Sequence, residues 1–394
     1  MSKKIISILG MAGEFDGKKT TAYYACDALA KKSKEYRNST DVLLKNYDDE
    51  FYLLGTEEAI KLQKRILDIT NKRVEFLEVD IDNLDEVFEK VFELISEANT
   101  GEVLLDITHG FRDQSISAIF SATLHHFLNQ SNIEIIFAKQ VVIHKKYEYM
   151  LLNNYIHLTQ LSLLLTGFIR TLNFVNSVEI DGLNTLAFES FSKALLSNDF
   201  KKLEASYLNL SATLSQAKNN DKFKHLKELF EQIETTLVDF KGFSKKEIYD
   251  KYMILAKLMS DKNYYLLSIT YLFEAIRQYS TYSFYKNKII SNYAWTKFNM
   301  YNLNRDVMYC ITQKEFGDDY KQTYYDRNNS NFYNNNSSVF EKITIEYKKL
   351  RELRNNLTHI NYKKSQPNIK KDLENLLNAL DTIITDDILK KIRK

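Results

Sequence analysis

Two short stretches carry residue types suited to chemistry on phosphates. "LRELRNNLTHINY", residues 350–362, places Arg354 five residues before His359. A guanidinium stabilises charge that develops on a phosphodiester, and an imidazole takes or gives a proton. Together they suit attack of a ribose 2′-hydroxyl on its own phosphate, which leaves 2′,3′-cyclic phosphate and 5′-hydroxyl ends without a metal. Asn355 follows the arginine as a further polar group. On one regular helix the two side chains stand roughly 140° apart and ~7.5 Å along the axis. A single helix therefore does not aim both at one substrate, whereas a twofold dimer brings two such pairs together. The spacing also arises by chance, with Arg354 as a solvated or interfacial charge.

"LLDITHGFRDQS", residues 104–115, is the second stretch. An apolar run ends in Asp106, followed by Thr108, His109, Gly110, Phe111 and Arg112. Thr108 suits phosphate or sugar oxygens, Gly110 permits close approach or positive φ, and Arg112 pairs with phosphate bidentately. Taken singly, Asp106 reads as a cap and Arg112 as a solvated charge. Clustered at the end of a strand, they read as an anion site.

A third stretch, "ILGMAGEFDGKKTT" (8–21), resembles a damaged phosphate-binding loop. A nucleotide-hydrolysing loop needs a glycine five positions before Gly17-Lys18 and a hydroxyl directly after the lysine. Ala12 and Lys19 stand there instead, and the hydroxyls fall at Thr20 and Thr21. What remains is Gly10, Met11, Ala12, Gly13, Lys18 and Thr20 as a general anion-holding turn that opens a helix, or an ordinary strand-to-helix loop.

The elements that must position these residues fall into two regimes. Through residue 150 the pattern alternates: strands at 4–10, 40–46, 74–80, 101–108 and 133–140, with helices at 20–33, 56–70, 84–98 and 114–130. Such alternation predicts a parallel sheet with helices on its faces and a ligand beyond the strands' carboxyl ends. From 151 onward apolar residues recur at three- and four-residue spacing, predicting helices almost throughout. The register Phe340, Ile343, Tyr347, Leu350, Leu357 runs through Arg354, where a leucine would be expected. An Asn-rich stretch, 316–340, reads as a loop whose Ser337 or Ser338 caps the next helix. The predicted organisation is 1–150, a helical linker region 151–245, and a helical domain 246–394.

Composition narrows the classes. The 394 residues suit two or three domains. One proline favours long helices, and two distant cysteines argue against a disulfide framework and fit a reducing cytoplasm. No apolar run reaches the ~18 residues of a membrane span. A net charge of +2 disfavours a nucleic-acid-coating protein but not a local basic groove. The acidic run 46–51 reads as a solvated turn. No metal-site spacing appears, and adjacent His125 and His126 cannot share a helix face.

"DITHG" is similar to the signature of the CRISPR-associated DxTHG family, and the first loop, with its Thr20-to-Tyr23 segment, resembles the same family. Arg354 and His359 match the R-x4–6-H motif of HEPN ribonucleases. The resemblance implies an α/β Rossmann-like (CARF) domain followed by an all-α HEPN domain, as in effectors of type III CRISPR antiviral systems. It further implies a cytoplasmic homodimer or larger assembly, activated by cyclic oligoadenylate and cutting single-stranded RNA, with no cofactor. Three alternatives stand beside it. One is a pocket that cleaves its own activator, another is a non-catalytic sensor, and the third is an unrelated nucleotide-binding enzyme.

Overall fold

In the computed structural model the described residues are 3–98, 102–129, 132–143, 145–175, 180–297, 299–312, 330–358 and 366–392. The chain divides into two compact units. One comprises Met1–Thr166, Phe174–Leu186 and Ala217–Lys227; the other comprises Gly167–Asn173, Ala187–Gln216 and Glu228–Lys394.

The first unit is built on an eight-stranded sheet. Its strands are β1 (Lys4–Ile8), β4 (Ala22–Ala25), β5 (Lys34–Tyr36), β6 (Glu50–Gly55), β7 (Arg73–Glu78), β8 (Val103–Asp106), β9 (Ile133–Val142) and β10 (Lys146–Leu151), with β2 (Glu14–Phe15) and β3 (Lys18–Lys19) forming a separate hairpin. The order is β5-β4-β10-β9-β8-β1-β6-β7. The run β9-β8-β1-β6-β7 is parallel, while β10 is antiparallel to β9 and β5 to β4.

The central strands are apolar on both faces because both are covered. Ile5, Phe51 and Leu104 pack with Val42 and Leu43 of α1 (Ser39–Asn46) and with Leu62 and Ile66 of α2 (Glu57–Ile66). Ile6, Leu54 and Leu105 face the other way, onto Val91 and Ile95 of α3 (Leu84–Glu97) and Ala118 and Ala122 of α4 (Arg112–Asn129). A sheet with helices on both faces is the predicted α/β class.

Several local expectations fail. The helix expected over 20–33 is instead β4 and a single 3-10 turn at Asp27–Leu29, with β5 following. Ala22 and Tyr24 are buried while Tyr23 is exposed, a strand alternation, and Tyr24 stacks on Tyr147 of β10 with centroids 4.9 Å apart. The strand expected over 40–46 is α1. Its start is fixed by Asn38, whose Oδ1 accepts from Asp41 N at 2.9 Å, while Asp41 Oδ2 accepts from Arg37 N at 2.9 Å. The acidic run 46–51 is not wholly a turn, because Glu50 and Phe51 open β6 and Phe51 is buried. The opening loop leads into no helix. Asp16 and Gly17 both have positive φ (48° and 72°), the two-residue turn of the β2–β3 hairpin.

Everything after Leu151 is helical, beginning with α5 (Asn153–Thr171), α6 (Thr185–Leu196), α7 (Phe200–Lys218) and α8 (Lys227–Thr236), apart from connections and one isolated bridge, Ile180 to Leu183, among the described residues. In the second unit α10 (Tyr265–Lys286) packs against α9 (Ile248–Asp261), α12 (Met300–Ile311), α13 (Ser330–Thr358) and α14 (Gln366–Thr385). The buried face of α13 runs Asn336, Phe340, Ile343, Tyr347, Leu350. Ser337 and Ser338 therefore lie inside a helix that starts at Ser330 and do not cap it, because burial of this face outweighs the poor helix propensity of asparagine. No helix among the described residues is long and apolar enough to cross a membrane.

Asn38 is fully buried, and besides capping α1 its Nδ2 donates to Ala12 O at 3.1 Å and Gln63 Oε1 at 2.8 Å. Asn38→Ala removes the cap and leaves buried Gln63 Oε1 without its donor, and is expected to cost about 2–3 kcal/mol. Urea unfolding followed by circular dichroism measures this; a loss under about 0.5 kcal/mol would contradict it.

Candidate functional site

β1 and β8 are parallel neighbours, with Ser7 registered on Asp106, so the loops that follow them emerge side by side. The contact is backbone on backbone: a Cβ built on Gly10 would lie 2.9 Å from Gly110 N and 3.1 Å from His109 Cβ. At Gly110, with φ of +85°, a Cβ would meet Ile8 Cγ2 at 2.4 Å. Glycine is required at both positions for this approach, and Gly110 also for its left-handed backbone.

Asp106 is the fixed point. Its side chain is fully buried; Oδ2 accepts from Ser7 Oγ at 3.0 Å and Ser39 Oγ at 2.7 Å, and Oδ1 accepts from Thr108 N at 3.0 Å and from Thr108 Oγ1. Thr108 Oγ1 in turn accepts from Ala138 N of β9 at 2.9 Å. Ser39 N donates to His109 Nε2 at 3.3 Å, which leaves the imidazole proton on Nδ1. Burial pushes the His109 pKa below its ordinary 6.5, against the opposing pull of Asp106.

The first loop is held from the other side. Gln63 Nε2 donates to Gly10 O at 2.7 Å and Ala12 O at 3.0 Å. Gly13, with φ of +104°, is packed so closely on Ile66 that a Cβ would come within 2.7 Å of its Cδ1.

Apart from His109, held by Ser39 N, the residues singled out in this unit separate into three sets. Asp106, Thr108, Gly10, Ala12 and Gly13 build and brace the loops. Met11, Gly110, Phe111 and Arg112 are exposed beside them, at the start of α4, with Met11 61% and Phe111 49% accessible. Lys18 and Thr20 lie on and just after β3 of the exposed hairpin. Ser7, Asn38, Ser39 and Gln63 were not singled out. Asn38 with Asp41 three residues later was a legible helix-start signal; nothing in the sequence pointed to Ser7 or Gln63.

Charge confines where an anion would sit. Beyond β6 and β7 the same edge holds a cleft of about 440 Å³ lined by Glu57, Glu58, Glu78, Asp80 and Glu86. That half repels phosphate, whereas the end of β1 and β8 carries Arg112.

In the helical unit Arg354 occupies the core register of α13 and is partly buried, its guanidinium carbon 4.2 Å from the centroid of the Phe273 ring on α10. Tyr347 stacks on the same ring at 5.1 Å. Arg277, nearly buried, is ion-paired with Glu274 at 2.8 Å. No carboxylate pairs with Arg354 among the described residues. Asn355 is partly buried one position on, its carbonyl accepting from Thr358 Oγ1 at 3.2 Å. His359 lies outside the described residues.

No family model and no curated protein matches the chain. Among solved structures it is similar to Enterococcus italicus Csm6 bound to cyclic hexa-2'-fluoro-hexa-dAMP, at 13% identity and a TM-score of 0.45, over 100% of this chain and 96% of that one.

In the α/β unit burial also lowers the pKa of His125 and His157, as it does that of His109. The folded state resists protonation that the unfolded chain accepts near pH 6.5, so stability is full above that pH and falls as the pH drops below it. His109→Gln is expected to flatten part of this acid loss between pH 7 and 5. The readout is hydrogen-exchange protection of peptides spanning 103–115, corrected for intrinsic rates. A variant as acid-sensitive as the parent would contradict the role given to His109.

Proposed function

We propose that the chain is an endoribonuclease of the CARF–HEPN kind in type III CRISPR antiviral defence. The α/β unit binds cyclic oligoadenylate, and single-stranded RNA is cut by 2′-hydroxyl attack without a metal. The observation that carries this reading is Arg354. A cation held over an aromatic ring, with no carboxylate partner among the described residues, keeps N–H donors for a phosphate. Arg277, three residues from Glu274 on the same helix as Phe273, has spent its charge on that partner. In the proposed mechanism Arg354 stabilises charge on the phosphorane, His359 moves the proton, and Asn355 orients the strand.

The α/β unit supports the ligand half of the reading. Its braced loops present Gly110, Phe111 and Arg112 to solvent at the edge where such folds bind ligands. Activation then requires that the ligand bind better to the cutting-competent arrangement than to the resting one. Cleavage of the activator by this pocket is the second reading. His109 is a poor acid–base group for that reaction, since its Nε2 is already engaged by Ser39 N.

The homodimer has support of its own. Ile116, Phe120, Leu124 and Leu128 form an i,i+4 stripe on α4, and all four are between 43% and 65% exposed. The stripe is roughly 18 Å long and apolar, the kind of face a second copy covers.

Two experiments test these statements. Purified protein with labelled RNA in EDTA is expected to cut only when a cyclic oligoadenylate is added. Arg354→Ala and His359→Ala should each lose roughly 100-fold or more in rate while retaining ligand affinity. Cutting that survives both substitutions would refute the assignment. Separately, Phe120→Glu combined with Leu128→Glu is expected to shift the sedimenting species from dimer to monomer; an unchanged sedimentation coefficient would show that α4 is not the dimer face.

A further inference from the structure

The end of α10 and the short helix α11 (Asn292–Lys297) carry a run of rings the catalytic reading leaves unused. Tyr249 lies 5.5 Å from both Tyr279 and Tyr282, Tyr282 lies 6.4 Å from Trp295, and Trp295 stacks on Tyr285 at 4.4 Å with planes 12° apart. Tyr279 is buried; the other four rings are only partly so. α11 does not need Trp295 as its anchor, because Ile290 and Ala294 already supply buried contacts around it.

Charge runs with the rings. Between Tyr285 and Lys297 the chain has three lysines, Lys286, Lys288 and Lys297, and no carboxylate. All three are exposed, and Lys286 Nζ lies 5.1 Å from the centroid of the Tyr282 ring. Carboxylates adjoin the other end of the row, where Glu247 accepts from Tyr282 OH at 2.8 Å and Asp387 from Tyr279 OH at 3.1 Å.

Partly exposed rings, one pair stacked and the next edge-to-face, flanked by lysines are the combination that holds unpaired bases and their phosphates. We propose that Tyr282, Tyr285 and Trp295, with Lys286, Lys288 and Lys297, form a nucleobase-stacking platform for single-stranded RNA on the helical unit. The inference rests on the ribonuclease reading and adds where the strand is gripped. Unpaired RNA is specified because bases within a duplex do not expose their faces.

Trp295 is the only tryptophan in the chain, so its emission reports on this site directly. The probe is a single-stranded 2′-O-methyl RNA 12-mer, which binds but cannot be cut by 2′-hydroxyl attack. Binding is followed by anisotropy of an end-labelled copy and by Trp295 fluorescence with an unlabelled one. Emission is expected to fall in step with binding, and an abasic 12-mer is expected to bind more weakly and leave it unchanged. Trp295→Ala should weaken binding roughly tenfold, Trp295→Phe should recover part of that loss, and Lys286→Gln should reduce the salt dependence. RNA that binds with Trp295 emission unchanged, or an abasic strand that quenches it equally, overturns the platform alone. No anisotropy change with any RNA overturns the ribonuclease reading as well.

Discussion

A carboxylate out of reach of solvent must find donors for its lone pairs, and Asp106 finds them on three separate elements. Ser7 comes from the neighbouring strand, Ser39 from the first turn of α1, and Thr108 from the loop that Asp106 itself begins. Breaking any one of these leaves a buried charge short of a partner, which costs more than the bond itself contributes. The network therefore ties β1, β8, α1 and the Thr108–Gly110 turn into one geometry. Through Thr108 it also reaches β9.

That constraint explains how so exposed a loop is held in place. Its inner half is consumed by internal bonding: Asp106 and Thr108 by the network, Gly10 and Ala12 by Gln63 and Asn38. Its outer half, Gly110 to Arg112, emerges from that scaffold at the start of α4. Rigidity on one side and exposure on the other is what a ligand site needs, since a loop already ordered loses little freedom on binding. The cleft past β6 and β7 is acidic, whereas the β1–β8 end of the same edge carries Arg112.

The helical unit uses aromatic rings where the α/β unit uses hydrogen bonds. Phe273 carries the Arg354 guanidinium and the Tyr347 ring, and α10, which supplies Phe273, is surrounded by four other helices. A ring face does not occupy a guanidinium's N–H donors, whereas a carboxylate partner does. Arg354 and Arg277 share the Phe273 ring, at 4.2 and 5.4 Å, but only Arg277 also has a carboxylate partner among the described residues.

Periodicity in the sequence was enough to determine the class of each half: an alternating α/β region, then helices. Strands buried on both faces and amphipathic helices leave different spacings. It also determined that "DITHG" ends a central strand and that Arg354 stands in a core register. It misassigned 20–33 and 40–46, where local pattern and tertiary pairing disagree: "TTAYYACD" becomes a strand only because β10 is there to pair with it, and "STDVLLKN" a helix because Asn38 and Asp41 satisfy its first turn. Only the folded chain decided that Asp106 is buried and bonded within the protein, that Gly10 and Gly110 touch, and that Ser7 and Gln63 brace these loops. Those facts depend on contacts between residues 50 to 100 positions apart, and a hydrogen bond across that span leaves no mark on the spacing of either partner.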